Sequence, residues 1–280
     1  STLAGALAAA KIHIPVVHIE AGLRSYNKSM PEEINRITCD HCSTLLFSPT
    51  QQGIENLIKE GFSKAIHTKA TVDRPLIFKT GDIMFDNSMF FSNIAKEKVG
   101  IVEQLELTKE AFILCTIHRD SNTDNTENLN QIIRGLLQIQ RVSNQSIVLP
   151  LHPRTRKKMT ELLNPSVAKE LSDNSKIHVI DPAGFLDMIS LESNCSLVIT
   201  DSGGVQKEAF FFQKPCVILR EQTEWVEIVE NGNALLVGSS EEKLIKAYHQ
   251  LTTKKDYTYP PFFGDGHASE EICRLMLEHL

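Results

Sequence analysis

Short runs of apolar, often β-branched residues alternate along this chain with longer stretches whose apolar positions recur every three or four residues. The short runs predict strands at 14–19, 44–49, 76–81, 111–117, 146–151, 176–181, 196–200, 216–220 and 234–238. The longer stretches predict helices near 2–12, 32–42, 50–60, 84–98, 126–142, 155–163, 184–190, 204–212, 222–231, 240–251 and 268–280. The strand runs are continuously apolar rather than alternating, which suits parallel sheets covered by helices on both faces. The βαβα rhythm therefore predicts an α/β protein with doubly wound sheets.

The strands are unevenly distributed. Six lie between Ala111 and Gly238, enough for a complete doubly wound domain, and only three lie before Asp82. The chain also opens inside an Ala-rich helical stretch, with no strand ahead of it. A parallel sheet of three strands leaves an edge unpaired, so the first domain is expected to be truncated at its start. The expected division is a first-domain remnant at 1–82, a complete domain at 83–262, and a terminal helix within 263–280 that crosses back to the first domain. The connection is expected in the stretch 85–110.

In open parallel sheets, ligands bind outside the carboxyl ends of the strands. Here those ends are polar. They carry Glu20, His118-Arg119, His152-Pro153-Arg154, Asp181-Pro182, Asp201-Ser202-Gly203-Gly204, and Arg220 with Glu221, Thr223 and Glu224. Any one of these is unremarkable as a satisfied loop residue. Together, two His, several Arg and a Gly-Gly helix start make an anion-binding mouth. Ser202 can cap the following helix while the N–H groups of Gly203 and Gly204 face a phosphate. Glu208, one turn on, can accept hydrogen bonds from a ribose diol, or pair as a surface charge with Lys207 or Lys214. In the first domain, Glu32 and Arg36 are four apart and can form a helix ion pair. Alternatively, Glu20 and Glu32 are two carboxylates facing the phosphate site, split into acid and base by their environments.

Composition narrows the classes. The chain has 280 residues, 41% of them hydrophobic, and a net charge of −6, which argues against a broad nucleic-acid surface. No apolar run approaches the roughly 20 residues of a membrane span. Six thinly spread cysteines fit reduced thiols in a cytoplasmic protein. Cys39-Asp40-His41-Cys42 offers half of a metal site, but no second Cys/His pair sits at zinc-finger spacing, so no metal site is assigned.

Taken in order, HIEAGLRS, MPEEINR, TIHR, DSGGVQKEA, QTEWVE and GDG resemble the non-hydrolysing UDP-N-acetylglucosamine 2-epimerases over essentially the whole chain. The resemblance implies a glycosyltransferase-B type fold of two Rossmann-like domains, the second binding UDP. It implies interconversion of UDP-GlcNAc and UDP-ManNAc for surface polysaccharide precursors, by elimination and re-addition of UDP with exchange of the C2 proton. By motif match, Glu20, Glu32 and His118 would be catalytic. Arg36, Arg119, His152, Arg154, Ser202, Gly203, Gly204, Glu208 and Arg220 would bind substrate. The expected partner is a UDP-sugar, with no metal or redox cofactor, no nucleic acid and no membrane; a homodimer is expected. In the family, STLAGALAAA follows a strand ending in Gly-Asp whose Asp is catalytic, so about a hundred residues of an ordinary domain would be missing and this chain alone is expected to be inactive. LPLHPRTRK, KEAFFFQKPC and TEWVE look closest to the branch acting on UDP-2,3-diacetamido-2,3-dideoxy-glucuronate, with Arg154 and Arg156 available to a uronate carboxylate. A glycosyltransferase of the same fold and a non-catalytic nucleotide-sugar binder are the rival readings.

Overall fold

A computed structural model describes residues 2–96 and 100–280. Residues 97 and 98, the end of the helix expected over 84–98, lie outside the described residues. The first elements in chain order are α1 (Thr2–Lys11), β1 (Val17–Ile19), α2 (Pro31–Cys42), β2 (Leu45–Ser48), α3 (Gln51–Lys59), β3 (Leu76–Lys79) and α4 (Ile83–Lys96). There follow α5 (Ile101–Gln104), β4 (Phe112–Thr116), α6 (Asp120–Thr123), α7 (Thr126–Ser143), β5 (Ser146–Pro150), α8 (Pro153–Leu162), α9 (Pro165–Asp173) and β6 (Ile177–Ile180). The remainder are α10 (Phe185–Asn194), β7 (Leu197–Thr200), α11 (Gly203–Phe211), β8 (Cys216–Ile218), α12 (Val226–Glu230), β9 (Ala234–Leu236), α13 (Glu241–Thr253) and α14 (Ala268–His279). The hydrophobic pattern misses α5, α6 and α9. It also starts α12 too early, because the Trp225 N–H bonds the Thr223 hydroxyl in a local turn ahead of that helix (3.2 Å).

The chain gathers into two units, Ser1–Met89 with Pro260–Leu280, and Phe90–Tyr259. The division falls within α4 rather than after Asp82. Asp86 is one reason: its carboxylate accepts the N–H groups of Ala268 (3.2 Å) and Ser269 (2.7 Å), capping α14 within the first unit.

The first unit carries a parallel sheet in the order β1-β2-β3. Leu45, Phe47 and Leu76 pack there with Ile272 and Leu275 of α14. β1 is an edge strand, and its Ile19 is 39% exposed. The second unit carries six parallel strands in the order β6-β5-β4-β7-β8-β9. Leu129, Ile132, Ile133 and Leu136 of α7 are fully buried in its core, each stabilising it by about 1.5–3 kcal/mol. Gly135 lets α13 approach, since a Cβ there would lie 2.6 Å from Leu244 Cδ2. The chain leaves β4 in one direction through β5 and β6, then returns to β7 on the other side. The carboxyl ends of β4 and β7 therefore flank the topological switch point, where an open parallel sheet leaves a crevice.

Candidate functional site

Register pairing brings Thr116 of β4 opposite Thr200 of β7, with their hydroxyls 2.6 Å apart. The next residues of each strand build the corner. Asp201 is fully buried. Its carboxylate accepts the backbone N–H of His118 (3.1 Å) and of Arg119 (3.0 Å), and the Asn122 amide (3.0 Å). It also faces the His118 ring at Nδ1 (3.1 Å). Burial alone would raise the Asp201 pKa, but hydrogen bonds from His118, Asn122 and Arg119, with the His118 charge, hold it below the usual value. A carboxylate can only accept here, so Nδ1 carries the proton and Nε2 is the free ring nitrogen. The ring itself is about half exposed, at 52%.

Ser202 follows with β-region dihedrals, and its hydroxyl accepts the Val205 N–H, capping α11. The N–H groups of Gly203 and Gly204 fall in the first turn, where no intrahelical carbonyl is available. A Cβ on Gly203 would come within 2.4 Å of Glu224 Oε1, so a close-packed carboxylate explains that glycine. A Cβ on Gly204 would meet nothing nearer than Glu208 Oε2 at 3.8 Å. That second contact places the Glu208 side chain one turn beyond the helix start, on the side of Gly204.

Arg220 lies behind this turn rather than on an open rim. It is 8% exposed, pairs with Glu224 at 2.9 Å, and leaves its Nη1 buried without a hydrogen bond. Arg119 turns its Nε to the Asp201 carbonyl (2.9 Å). His152 is exposed and caps α8, its Nδ1 accepting the Arg154 N–H (3.3 Å). Arg154 pairs with Asp120 (2.8 Å) and Asp124 (2.5 Å), and Arg156 with Asp181 (3.0 Å). Both guanidiniums thus pair with carboxylates of the protein in exposed positions.

The first unit fastens its own polar loop. β1 ends on Glu20, a non-glycine residue at φ +64°. Gly22 follows at φ +80°, and a Cβ there would overlap the Gly53 carbonyl oxygen at 2.3 Å. Asp40, fully buried, takes the Gly22 N–H (3.2 Å), the Arg24 guanidinium (2.7 Å) and the His18 ring (2.6 Å). Arg24 is completed by Glu60 (2.6 Å). Glu33, 1% exposed, accepts the N–H groups of Ser25 (3.0 Å) and Tyr26 (2.8 Å). Burial works against its charge, yet hydrogen bonds from Ser25, Tyr26 and Arg36 lower its pKa.

Those contacts correct the ion pair expected between Glu32 and Arg36. Arg36 bonds Glu33 instead, at 3.1 Å. On α2, Glu33 shares the buried face with Asp40, and Glu32 is exposed. In the Cys39–Cys42 stretch, Cys39 is buried, and His41 stands 3.6 Å from Glu60 with its ring against Phe62. Glu33 and Asp40 were not among the expected site residues, and Asp201 was read only as one of the polar strand ends, although Asp201 and Glu33 both stand in quoted motifs.

Comparison with known proteins decides the family. A family model described as UDP-N-acetylglucosamine 2-epimerase matches residues 1–277. The chain belongs to the UDP-N-acetylglucosamine 2-epimerase family. A UDP-2,3-diacetamido-2,3-dideoxy-D-glucuronate 2-epimerase of Pseudomonas aeruginosa is 45% identical over 276 residues, covering 99% of this chain and 72% of that protein. A UDP-N-acetylglucosamine 2-epimerase of Methanocaldococcus jannaschii is 40% identical, with the same coverage. The crystal structure of M. jannaschii UDP-GlcNAc 2-epimerase in complex with UDP-GlcNAc and UDP has a TM-score of 0.85 and 39% identity, over 99% of this chain and 72% of that one. Like these epimerases, the chain has a glycosyltransferase-B type α/β fold with two parallel sheets. No helix among its described residues is long and apolar enough to cross a membrane.

Proposed function

We propose that this chain is a non-hydrolysing 2-epimerase of a UDP-linked 2-acetamido sugar. The observation that carries the reading is the corner at the β4–β7 switch point. There Asp201 fixes the His118 ring beside the Ser202-Gly203-Gly204 start of α11. A diphosphate suits that helix start, and Glu208 suits the ribose hydroxyls. As an imidazolium, with Nδ1–H held by Asp201, His118 would donate its Nε2 proton to the departing phosphate oxygen.

The reaction balances without an electron acceptor. A base removes the C2 proton, the C1–O bond breaks with its electron pair going to UDP, and a C1–C2 double bond forms. UDP then adds back at C1 as a proton reaches the opposite face of C2. Glu20 and Glu32 are the assigned proton carriers, and Arg36 their positioning cation. This route requires no metal and no redox cofactor. A homodimer working in the cytoplasm fits the family resemblance.

UDP-2,3-diacetamido-2,3-dideoxy-glucuronate is the second substrate reading, favoured by the 45% identity to an enzyme of that name. Arg154 and Arg156 pair with Asp120, Asp124 and Asp181 at the surface, so a uronate carboxylate would have to displace those partners. The test is incubation of this chain, and of any longer form of the protein that contains it, with each UDP-sugar in heavy water, without an acceptor; the chain alone is expected to show no exchange. Deuterium at C2 of one sugar identifies the epimerase and its substrate. Sugar transfer to an added acceptor, with no C2 exchange, would overturn the reading in favour of a glycosyltransferase.

A further inference from the structure

Trp225 is the single tryptophan of the chain and is 3% exposed. Its indole N–H donates to the Gly203 carbonyl oxygen at 2.8 Å. Two further contacts tie the same loop to α11. The Thr223 hydroxyl donates to the Gln206 amide oxygen at 2.6 Å, and both residues are buried. The Lys207 ammonium lies over the Trp225 ring, 4.7 Å from its centroid. Gly203, Gln206 and Lys207 stand three and four apart, so the loop grips one face of the helix. Gly204, which is exposed, and Glu208 lie on the adjoining face. A second observation marks the same turn. Arg220 pairs with Glu224 through Nη2, while its buried Nη1 has no hydrogen-bond partner and lies 3.8 Å from where a Cβ on Gly203 would sit. An unmatched guanidinium donor beside N–H groups that also lack intrahelical acceptors suits an anion from outside the chain.

We propose that Trp225 is a positioning residue for the diphosphate: its indole bond to the Gly203 oxygen aims the Gly204 N–H at the bound phosphate oxygens. This role rests on the start of α11 being the diphosphate site. In a planar trans peptide the carbonyl and the following N–H point in opposite directions. A donor fixed on the Gly203 oxygen therefore sets where the Gly204 N–H points. Helix ends fray, and two successive glycines restrain the backbone least. A turn that must meet an anion with its N–H already aimed gains from a brace outside the helix. The same bond polarises the peptide and makes the Gly204 N–H a stronger donor. Trp225 acts through this peptide and does not itself touch the nucleotide.

The test is calorimetric titration of the full 280-residue chain and its variants with UDP. Trp225→Phe keeps an aromatic ring but has no N–H, and should bind UDP about three- to tenfold more weakly, the scale of one hydrogen bond. If Trp225→Phe folds poorly, 3-benzothienylalanine at this single tryptophan position puts sulfur in place of the N–H within the same ring outline, and should show the same loss. Gly204→Pro deletes the N–H that the indole is said to aim, and proline is tolerated in a first helical turn. Gly204→Pro should weaken UDP at least as much as Trp225→Phe, and adding Trp225→Phe to it should cost no further affinity. If UDP does not bind the unmodified chain, or binds Gly204→Pro as tightly, the diphosphate assignment fails and takes this proposal with it. If Gly204→Pro weakens UDP while the Trp225 replacements do not, or if the two losses multiply in the double variant, only the role of Trp225 is overturned.

Discussion

The Asp201 carboxylate holds His118 twice, through the backbone N–H and through ring Nδ1, each at 3.1 Å. One side chain thus sets both the path of the loop and the tautomer of the ring. Asp201→Asn keeps the shape but can present an N–H to Nδ1 and reverse the tautomer. C2 deuterium exchange in the variant is expected to fall about 10- to 100-fold, the usual scale for a residue that orients a functional one. UDP affinity should change far less. An exchange rate equal to that of the unmodified protein would show that the ring needs no such partner.

Acid should unfold the protein partly through the same residue. The folded-state pKa of Asp201 lies below its ordinary value of 3.8, and that of Glu33 below 4.5. Their stabilisation is therefore complete above the ordinary carboxylate range and is lost as pH falls through the lowered values. Melting temperature should be insensitive to these two groups near neutrality and should drop steeply below about pH 4. Glu33→Gln should flatten part of that drop. A variant with an unchanged acid limb would exclude Glu33 as a contributor.

The two glycines of the helix start should respond differently to a single methyl group. Gly203→Ala drives a Cβ against Glu224, which is buried and paired with Arg220 and cannot retreat cheaply. A cost of about 1–3 kcal/mol is expected, with weaker UDP binding. Gly204→Ala meets only ordinary contacts and gains helix propensity, so its stability should hold or improve. Urea melts of the two variants check the contrast, and equal midpoints would contradict it.

Neighbouring glutamates on α2 should separate chemistry from architecture. Glu33→Gln leaves the Ser25 and Tyr26 N–H groups poorly paired and should destabilise by about 1–3 kcal/mol. Glu32→Gln changes an exposed side chain, so its melting temperature should move little while C2 exchange collapses. Unimpaired exchange in Glu32→Gln would remove Glu32 from the proton chemistry.

The strands were legible because each is a dense apolar run, and a doubly covered parallel sheet admits little else. α9 was missed because its start, Asn164-Pro165, reads equally as a turn and as a proline-first helix. The Ser202 cap was legible because it is local: hydroxyl, two glycines, helix. Asp201 stood one residue earlier in the same motif, but its worth comes from a loop more than eighty positions away. In Pro31-Glu32-Glu33, motif match selected one carboxylate for chemistry. Nothing local revealed that the other holds the Ser25–Tyr26 loop, since that depends on which face of α2 turns inward. Arg154 and Arg156 looked available as anion binders because their acidic partners arrive from other loops and helices.

Asp86 capping α14 has a consequence for synthesis. The strands of the first sheet leave the ribosome early, yet the helix that covers them comes after the entire second unit. At ordinary elongation rates that interval is about 10–40 s. Through it Leu45, Phe47 and Leu76 lack the Ile272 and Leu275 they pack against, and the second unit, continuous in sequence, has time to fold first.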